Sequence, residues 1–177
     1  MTFKMELLSE KDQEWAREEQ ARRVAEKANE AAAEEFQESN LGKALAKASK
    51  LDGTRFSDHE IAAPPQHFLL YFSASWCGPC RANAPSFAAQ YKKDIASNPD
   101  LEVIHISLDR SDDAALEWAK SFEEPWPVVL PSDLERKTLV APYNVRAVPS
   151  YVLVDQTGKE LARGKAAALA AAAQAKP

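Results

Sequence analysis

Two cysteines placed between an apolar run and a helix-forming stretch constrain this chain more than any other feature. Cys77 and Cys80 are separated by Gly-Pro and follow the apolar run His67–Ser73. Residues 79–96, which begin between the two cysteines, have a composition that favours a helix. A short, continuous apolar run is typical of a strand that is buried on both faces of a sheet. The sequence therefore predicts that both cysteines lie where a strand ends and a helix begins.

The N-terminus of a helix gives a cysteine pair a specific chemistry. Its free N–H groups and partial positive charge favour a thiolate over a thiol. We therefore expect the Cys77 thiol to have a pKa below the usual value of about 8.5, near 7. Cys80 lies one turn further along the same helix face, so its sulfur can attack a mixed disulfide on Cys77 and release the product. Pro79 fits the first turn, where its missing N–H costs nothing.

Zinc binding is the alternative use of a C-x-x-C pair. A structural zinc site needs two further ligands, and the chain has no other cysteine. Its histidines, His59, His67 and His105, are scattered over separate segments. We therefore expect redox chemistry at the cysteines and no metal site.

The first 42 residues differ in composition from the rest of the chain. The first 41 contain no Gly or Pro, and residues 1–40 carry 6 Lys and Arg against 11 Asp and Glu, which is a net charge of −5. Residues 41–177 carry 16 of each sign and have no net charge. The chain therefore divides into an acidic segment at its beginning and a neutral part that is rich in turns.

Ser9 and Asp12 have the spacing of a capping box, so we expect a helix from Glu10 to about Asn40 that Leu41-Gly42 ends. Three interpretations of this helix remain open: an amphipathic helix that lies on the globular part, a dimerising coiled coil, and a mobile arm. The first is favoured over the coiled coil because the apolar stripe is mostly Ala, without the Leu or Ile of a strong zipper. We expect a monomer, with a helix-mediated dimer as the alternative.

The later segments alternate between strand and helix patterns. Asp52-Gly53 predicts a tight turn before a short strand, and Ser132 with Glu135 has the spacing of a second capping box, before a helix that Pro142 ends. The other predicted elements are a strand at Leu101–Leu108, a helix at Asp112–Ser121, a strand at 128–130, a hairpin of Tyr151–Asp155 and Lys159–Arg163, and a helix at 165–175. This order predicts an α/β sheet with helices on both faces.

The segment Tyr71–Arg81, which reads Tyr-Phe-Ser-Ala-Ser-Trp-Cys-Gly-Pro-Cys-Arg, resembles the active site of thioredoxin-fold oxidoreductases. Its flanks are most similar to the tryparedoxin/nucleoredoxin branch and to TlpA-like bacterial proteins. The resemblance covers about residues 50–165. It implies an α/β thioredoxin-like fold, with a central mixed sheet flanked by helices, in a domain at 50–177. Residues 1–42 would then be a charged helical extension that this fold does not need.

Other positions match the same family in register. Pro85 matches the proline that kinks the active-site helix, the strand Leu101–Asp109 ends in an acidic residue, and Pro125-Trp126 precedes the short third strand. Val148-Pro149 matches the cis-proline signature, which implies a cis bond beside the cysteines and a Val148 backbone that pairs with an extended substrate. The residues expected to bind substrate or support the site are Trp76, Gly78, Pro79, Val148 and Pro149.

This sequence also departs from the family. Thioredoxins have a buried aspartate six residues before the first cysteine, and here that position is Tyr71, for which packing is a better explanation than acid/base chemistry because a phenol titrates near pH 10. We hypothesise that His105 lies near Tyr71 and the cysteines and takes over the aspartate's role. The alternative is a strand histidine with only a packing role.

Three further side chains each have two interpretations. Arg81 either adds positive potential near the thiolate or is a solvated residue of the first helical turn. Trp76 and Trp126 either offer apolar surface to partners or pack in the core, and core packing is favoured for Trp126.

The leading functional prediction is a thiol–disulfide oxidoreductase that reduces protein disulfides and contributes to cell redox homeostasis. Gly-Pro between Cys77 and Cys80 matches thioredoxin, a reductant at about −270 mV, rather than the oxidant DsbA at about −120 mV. The resemblance implies a protein or small-molecule disulfide substrate, a reducing partner, and no cofactor beyond the redox-active cysteine pair. A redox-sensing adaptor on the same fold is the alternative. A peroxidase is less favoured, because peroxidases of this fold usually carry a lone reactive cysteine.

Charge and hydropathy bear on partners and compartment. The net charge of −5 argues against nucleic acid as a partner. The strongest apolar run, Phe68–Phe72, is far shorter than the roughly 20 residues of a membrane span, and residues 2–20 have no apolar core like that of a signal peptide. We therefore expect either the cytoplasm or, after removal of a signal, the periplasm or cell envelope of a bacterium.

Overall fold

A mixed sheet of seven strands forms the centre of the computed structural model, which describes residues 9–61 and 63–174. The strands are β1 (Ser49–Asp52), β2 (Arg55–Asp58), β3 (His67–Ser73), β4 (Leu101–Ser107), β5 (Val128–Val129), β6 (Ser150–Asp155) and β7 (Glu160–Arg163). Their order across the sheet is β2-β1-β5-β4-β3-β6-β7. β3, β4 and β5 are parallel, and the other neighbouring strands are antiparallel.

Six α-helices accompany the sheet in the described residues. They are α1 (Glu10–Glu38), α2 (Asn40–Leu45), α3 (Gly78–Gln90), α4 (Asp112–Ser121), α5 (Arg136–Val140) and α6 (Lys165–Gln174). α3 contains Pro85 and continues into one π-helical turn, Tyr91–Ile95. The predicted thioredoxin-like fold, with a mixed sheet flanked by helices and a helix near the N-terminus, is confirmed.

β3 lies inside the sheet and is covered on both faces. Phe68, Leu70 and Phe72 pack on one side with residues of α2 and α5, whereas Leu69 and Tyr71 pack on the other side with residues of α3 and α6. Successive side chains of a strand point to opposite faces, so covering both faces requires an unbroken apolar run. This explains why β3 could be placed correctly from its composition.

α1 begins at the predicted capping box but does not lie on the globular part. The Ser9 hydroxyl accepts the Asp12 N–H at 3.3 Å, and the Asp12 carboxylate accepts the Ser9 N–H at 3.2 Å. Phe36, near the C-terminal end, is the one buried side chain of α1, and it stacks on Phe68 with ring centroids 5.3 Å apart. Trp15 is 66% exposed. The interpretation of α1 as a helix packed along the globule is therefore wrong, because its Ala-rich face buries too little apolar area to hold it there.

The end of α1 also differs from the prediction. α1 ends at Glu38, and Leu41-Gly42 lies inside α2 instead of ending the first helix. The Ser39 hydroxyl causes the break, since it accepts the Gly42 N–H at 2.9 Å and caps a new helix. α2 thereby turns Leu41 and Leu45 into the core beside Phe68.

The second predicted capping box is wrong, although the helix that follows it exists. α5 begins after Glu135, with no side-chain cap. The Ser132 hydroxyl instead donates to Asp112 Oδ2 at 2.5 Å, and the Ser132 N–H donates to Asp112 Oδ1 at 2.9 Å. A carboxylate brought near by the fold thus displaces the local partner.

The remaining predicted elements are confirmed to within a few residues, including the β6–β7 hairpin and α6. β1 was not predicted. In the part of the chain that the structure describes, no helix is both long and apolar enough to cross a membrane.

Candidate active site

Cys77 and Cys80 form a disulfide at the beginning of α3, at the end of the sheet where β3 terminates. Cys77 is the N-cap residue of α3, and the Cys80 N–H donates to Cys77 Sγ at 3.1 Å. Cys77 is 5% exposed and Cys80 is fully buried. An external reagent therefore meets Cys77 first, and the N–H at its sulfur can stabilise a thiolate there.

Asp109 holds the loop between β3 and Cys77. This buried carboxylate accepts the Ser75 N–H at 2.9 Å and the Ser75 hydroxyl at 2.6 Å through Oδ1. Its Oδ2 accepts the Ser107 hydroxyl at 3.0 Å. Next to this clamp, Trp76 Nε1 donates to the Leu108 carbonyl at 3.2 Å. The loop that carries the first cysteine is thus fixed to the end of β4.

Replacing Asp109 with alanine should destabilise the protein by about 2–3 kcal/mol, because it removes hydrogen bonds to a charged group and leaves buried donors unpaired. Urea unfolding measures this change as a lower transition midpoint. Asp94→Ala is the matched control, since Asp94 is an exposed carboxylate on the π-helical turn, and it should change stability by less than about 0.5 kcal/mol. Equal stability of the two variants would contradict the role of the clamp.

An apolar groove runs beside Cys77. Its lining residues in the described chain are Trp76, Cys77, Gly78, Pro79, Leu108, Val145, Arg146, Ala147 and Val148. The Val148-Pro149 peptide is cis, and Cys77 Sγ lies 3.4 Å from the Val148 carbonyl oxygen. Trp76 is 58% exposed and so offers its ring to the groove instead of packing in the core. Arg146 is the one charged side chain in this lining.

Two other candidates lie apart from the groove lining. Trp126 is fully buried among aromatic rings, which confirms the core-packing interpretation. Arg81 is exposed on the first turn of α3.

His105 is fully buried on β4, directly opposite Tyr71 on β3, with ring centroids 5.4 Å apart. Its connection to the cysteines is indirect. The Trp118 ring lies edge-on to the His105 ring at 5.4 Å, and Trp118 belongs to the same buried cluster as Cys77 and Cys80. His105 thus lies beside Tyr71, and Trp118 links it to the cluster that contains the disulfide.

Tyr71 is a neutral group at this site. Burial raises the pKa of its phenol, and the negative charge of Glu124 raises it further. Tyr71 stacks on Tyr151 with ring centroids 4.9 Å apart. These contacts agree with a packing role.

Asp109, Trp118 and Glu124 are site residues that the sequence analysis did not select. Asp109 had a signal, because it is an acidic residue at the end of a strand next to the cysteine loop. Glu124 had none: it stands beside Glu123 between α4 and β5, yet Glu124 is buried and Glu123 is exposed.

The described residues contain no group of three or more His, Cys, Asp or Glu side chains that could hold a metal ion. His59 follows β2, His67 begins β3, and His105 lies on β4.

Comparisons with known proteins agree with this geometry. A family model described as thioredoxin-like matches residues 66–160. Nucleoredoxin from Bos taurus is 32% identical over 98 residues, which are 55% of this chain and 22% of that protein. This chain therefore spans less than a quarter of the nucleoredoxin that it matches.

A bacterial protein and a solved structure are also similar. The thiol-disulfide oxidoreductase ResA from Bacillus subtilis (strain 168) is 33% identical over 91 residues, which are 51% of this chain and 48% of ResA. The crystal structure of native tryparedoxin I from Crithidia fasciculata superposes with a TM-score of 0.58 at 25% identity, covering 77% of this chain and 92% of tryparedoxin I.

Proposed function

Because the chain belongs to the thioredoxin-like family of oxidoreductases, we propose that it reduces disulfide bonds in proteins through Cys77 and Cys80. The observation that carries this proposal is the position of Cys77, at the N-cap of α3 and at the edge of an apolar groove, with Cys80 buried behind it. A nucleophile that is accessible and a second thiol that is protected are what a two-step exchange needs.

The proposed cycle starts from the reduced pair. The Cys77 thiolate attacks one sulfur of the substrate disulfide and breaks its S–S bond, which forms a mixed disulfide and releases the other sulfur as a thiolate that takes up a proton from water. Cys80 then loses its proton to water, and its thiolate attacks Cys77 Sγ. This attack closes the Cys77–Cys80 disulfide and releases the second substrate sulfur as a thiolate, which is protonated in the same way. A reducing dithiol partner returns two electrons and two protons to the pair, and the cycle needs no further cofactor.

The groove suits an extended substrate. The Val148 carbonyl beside Cys77 can accept a backbone N–H of a peptide that lies along the segment before Pro149. Trp76 and Leu108 give apolar contact area on the other side.

Reduction of insulin by dithiothreitol tests the proposal, because the freed B chain precipitates and the turbidity reports the rate. The protein should accelerate the precipitation at catalytic concentration. A rate equal to that of dithiothreitol alone would reject the proposal and favour the redox-sensing adaptor. The equilibrium with glutathione measures the reduction potential of the cysteine pair, which decides the direction of electron flow. We expect a potential near that of thioredoxin, about −270 mV. A value above about −150 mV would indicate an oxidase or isomerase.

Arg146 should favour substrates that have an acidic side chain near the disulfide. It is the single cation in the groove lining, and among the described residues its guanidinium makes one hydrogen bond, from Nε to the Asn144 side chain at 3.4 Å. The guanidinium is therefore available to a ligand. Exposed ion pairs contribute up to about 1 kcal/mol, so Arg146→Gln should raise the KM of a Glu-flanked peptide disulfide about two- to fivefold. The KM of a matched peptide disulfide, with Gln in place of that Glu, should stay unchanged.

Arg55→Gln is the control for this preference, since Arg55 is exposed on β2, at the edge of the sheet. It should leave both KM values unchanged. If Arg146→Gln raised the KM of both peptides equally, the groove would recognise the shape of the substrate and not its charge.

A further inference from the structure

The Asn83 side chain joins α3 to β6. The groove is lined by the start of α3 and by the segment that leads into β6, so both elements help to shape it. Asn83 lies on α3, one turn after Cys80, and its Nδ2 donates to the hydroxyl of Tyr151 on β6. Tyr151 follows the cis bond at Pro149 by two residues. The helix that carries both cysteines is therefore tied by a hydrogen bond to the strand behind the cis bond.

Lys165, the first residue of α6, orients the Asn83 amide. Its Nζ donates to Asn83 Oδ1 at 3.0 Å. An ammonium group has only donors, so the amide oxygen must face it, and the amide nitrogen is left to face Tyr151. Burial raises the pKa of the Tyr151 phenol, so the hydroxyl stays neutral and accepts the amide N–H. Three elements, α3, β6 and α6, thus meet at one amide.

No ion pair explains the position of Lys165. Its side chain is half-buried, and no carboxylate oxygen of the described residues lies within 4.0 Å of its Nζ. Instead, Nζ lies 5.0 Å from the centre of the Phe87 ring, one turn beyond Asn83 on α3. Partial burial of an amine costs free energy unless it finds polar or aromatic partners. Both partners of Lys165 are on α3, which makes this side chain a brace for the cysteine helix.

The spacing between α3 and β6 bears directly on how a substrate can lie in the groove. Cys77 Sγ is 3.4 Å from the Val148 carbonyl oxygen, which immediately precedes the cis bond. An extended peptide must pair with this backbone while its own sulfur meets Cys77. A misplacement of about 1 Å between groups that have to react can slow the reaction about 100-fold. A small disulfide that makes no backbone contact is free of this requirement.

We propose that Asn83 is a positioning residue for peptide substrates, because its bond to Tyr151 holds the Val148 carbonyl at a fixed distance from Cys77 Sγ. Lys165 supports it by fixing the amide. This inference rests on the proposed function and deepens it, since it assigns the handling of extended peptides to a residue outside the groove lining. Loss of the bond leaves Cys77 at the N-cap of α3, with its reactivity intact, and loosens only the register between the peptide and the attacking sulfur.

Two chromogenic disulfides distinguish positioning from reactivity. One is dithionitrobenzoate, and the other is a short uncharged peptide whose single cysteine is joined to thionitrobenzoate. In each, the Cys77 thiolate of the reduced protein attacks a sulfur, the S–S bond of the reagent breaks, and thionitrobenzoate leaves as a coloured thiolate. The second-order rate constant of this first attack is measured for both reagents.

Asn83→Leu should lower the rate constant for the peptide about fivefold, the effect of one lost hydrogen bond, and leave that for dithionitrobenzoate unchanged. Tyr151→Phe removes the same bond from the other side and should show the same loss for the peptide alone. The double variant should lose no more than either single one, because both substitutions remove one interaction.

Lys165 provides the conservative rescue. Lys165→Met removes the donor to Asn83 Oδ1 and should slow the peptide reaction, whereas Lys165→Arg keeps a donor and should restore the rate. Gln90→Leu is the matched control, since it makes the same kind of substitution two turns further along α3. The Gln90 side chain has no hydrogen-bond partner among the described residues, so both rate constants should stay at their wild-type values.

Two results would overturn the inference. Equal slowing with both reagents in Asn83→Leu and Tyr151→Phe would show that the bond supports Cys77 itself. Wild-type rate constants with both reagents, accompanied only by a lower urea midpoint, would show that the bond stabilises the fold and nothing more. Neither reagent is a biological substrate, so a wild-type protein that fails to reduce insulin would reject the proposed function separately.

Discussion

Insulin reduction by the Cys77→Ser variant should fall to the rate of dithiothreitol alone, a loss of about 100-fold or more relative to the wild type. A serine hydroxyl at the N-cap cannot replace the thiolate, because the exchange needs a sulfur nucleophile. The loss should be seen for every substrate, since the fully buried Cys80 cannot take over the first attack.

Cys80→Ser is the matched variant, and its expected behaviour differs in kind. Its Cys77 can still attack, but nothing resolves the mixed disulfide, so a covalent adduct with the substrate should accumulate. Nonreducing gel electrophoresis shows this adduct, and a reducing agent should cleave it. The assigned order of attack would be wrong if Cys77→Ser kept its activity, or if Cys77→Ser formed a covalent adduct with the substrate through Cys80.

Gly42→Ala should destabilise the protein, because α2 has no room for a methyl group at this position. A Cβ at this position would lie 1.9 Å from the Phe36 carbonyl oxygen and 2.7 Å from its carbonyl carbon. Both are backbone atoms, so α1 and α2 must move apart and withdraw Phe36 from Phe68. We expect a loss of about 2–3 kcal/mol, seen as a lower urea midpoint.

Helix propensity alone predicts the opposite sign, since alanine favours a helix over glycine by about 1 kcal/mol. Gly78→Ala is the control, because Gly78 is also helical and a Cβ there meets no atom within 4 Å. It should leave the free energy of unfolding unchanged or raise it by up to about 1 kcal/mol. A Gly42→Ala protein as stable as the wild type would show that the two helices do not need their close contact.

The fold and the cysteine pair could be predicted because their signals are local. The apolar run of β3, the helix formers after Cys80 and the first-turn carboxylates of α4 each act on their own segment. The cis bond at Pro149 came from the family resemblance, since a local pattern does not distinguish it from an ordinary loop proline.

What could not be predicted depends on contacts between distant segments. Ser132 bonds to Asp112, 20 residues away, instead of starting a helix. Glu124 looks like a surface residue in sequence, and it is buried because His105, from another strand, and Trp126 present two N–H groups to it. In sequence, Gly42 predicts the end of a helix. In the structure it lies in α2, where the absence of a side chain lets the backbone of α2 approach the Phe36 carbonyl at the end of α1.

α1 packs against the core near the beginning of β3, at the opposite end of this strand from the disulfide. Phe36 stacks on Phe68, near the beginning of the strand, and the cysteine loop follows Ser73, about 17 Å further on. The anchored end of the helix and the groove therefore do not compete for the same surface. A protein immobilised on a bead or an electrode through the far end of α1 keeps its cysteines free for exchange, with the helix as a rigid spacer about 43 Å long.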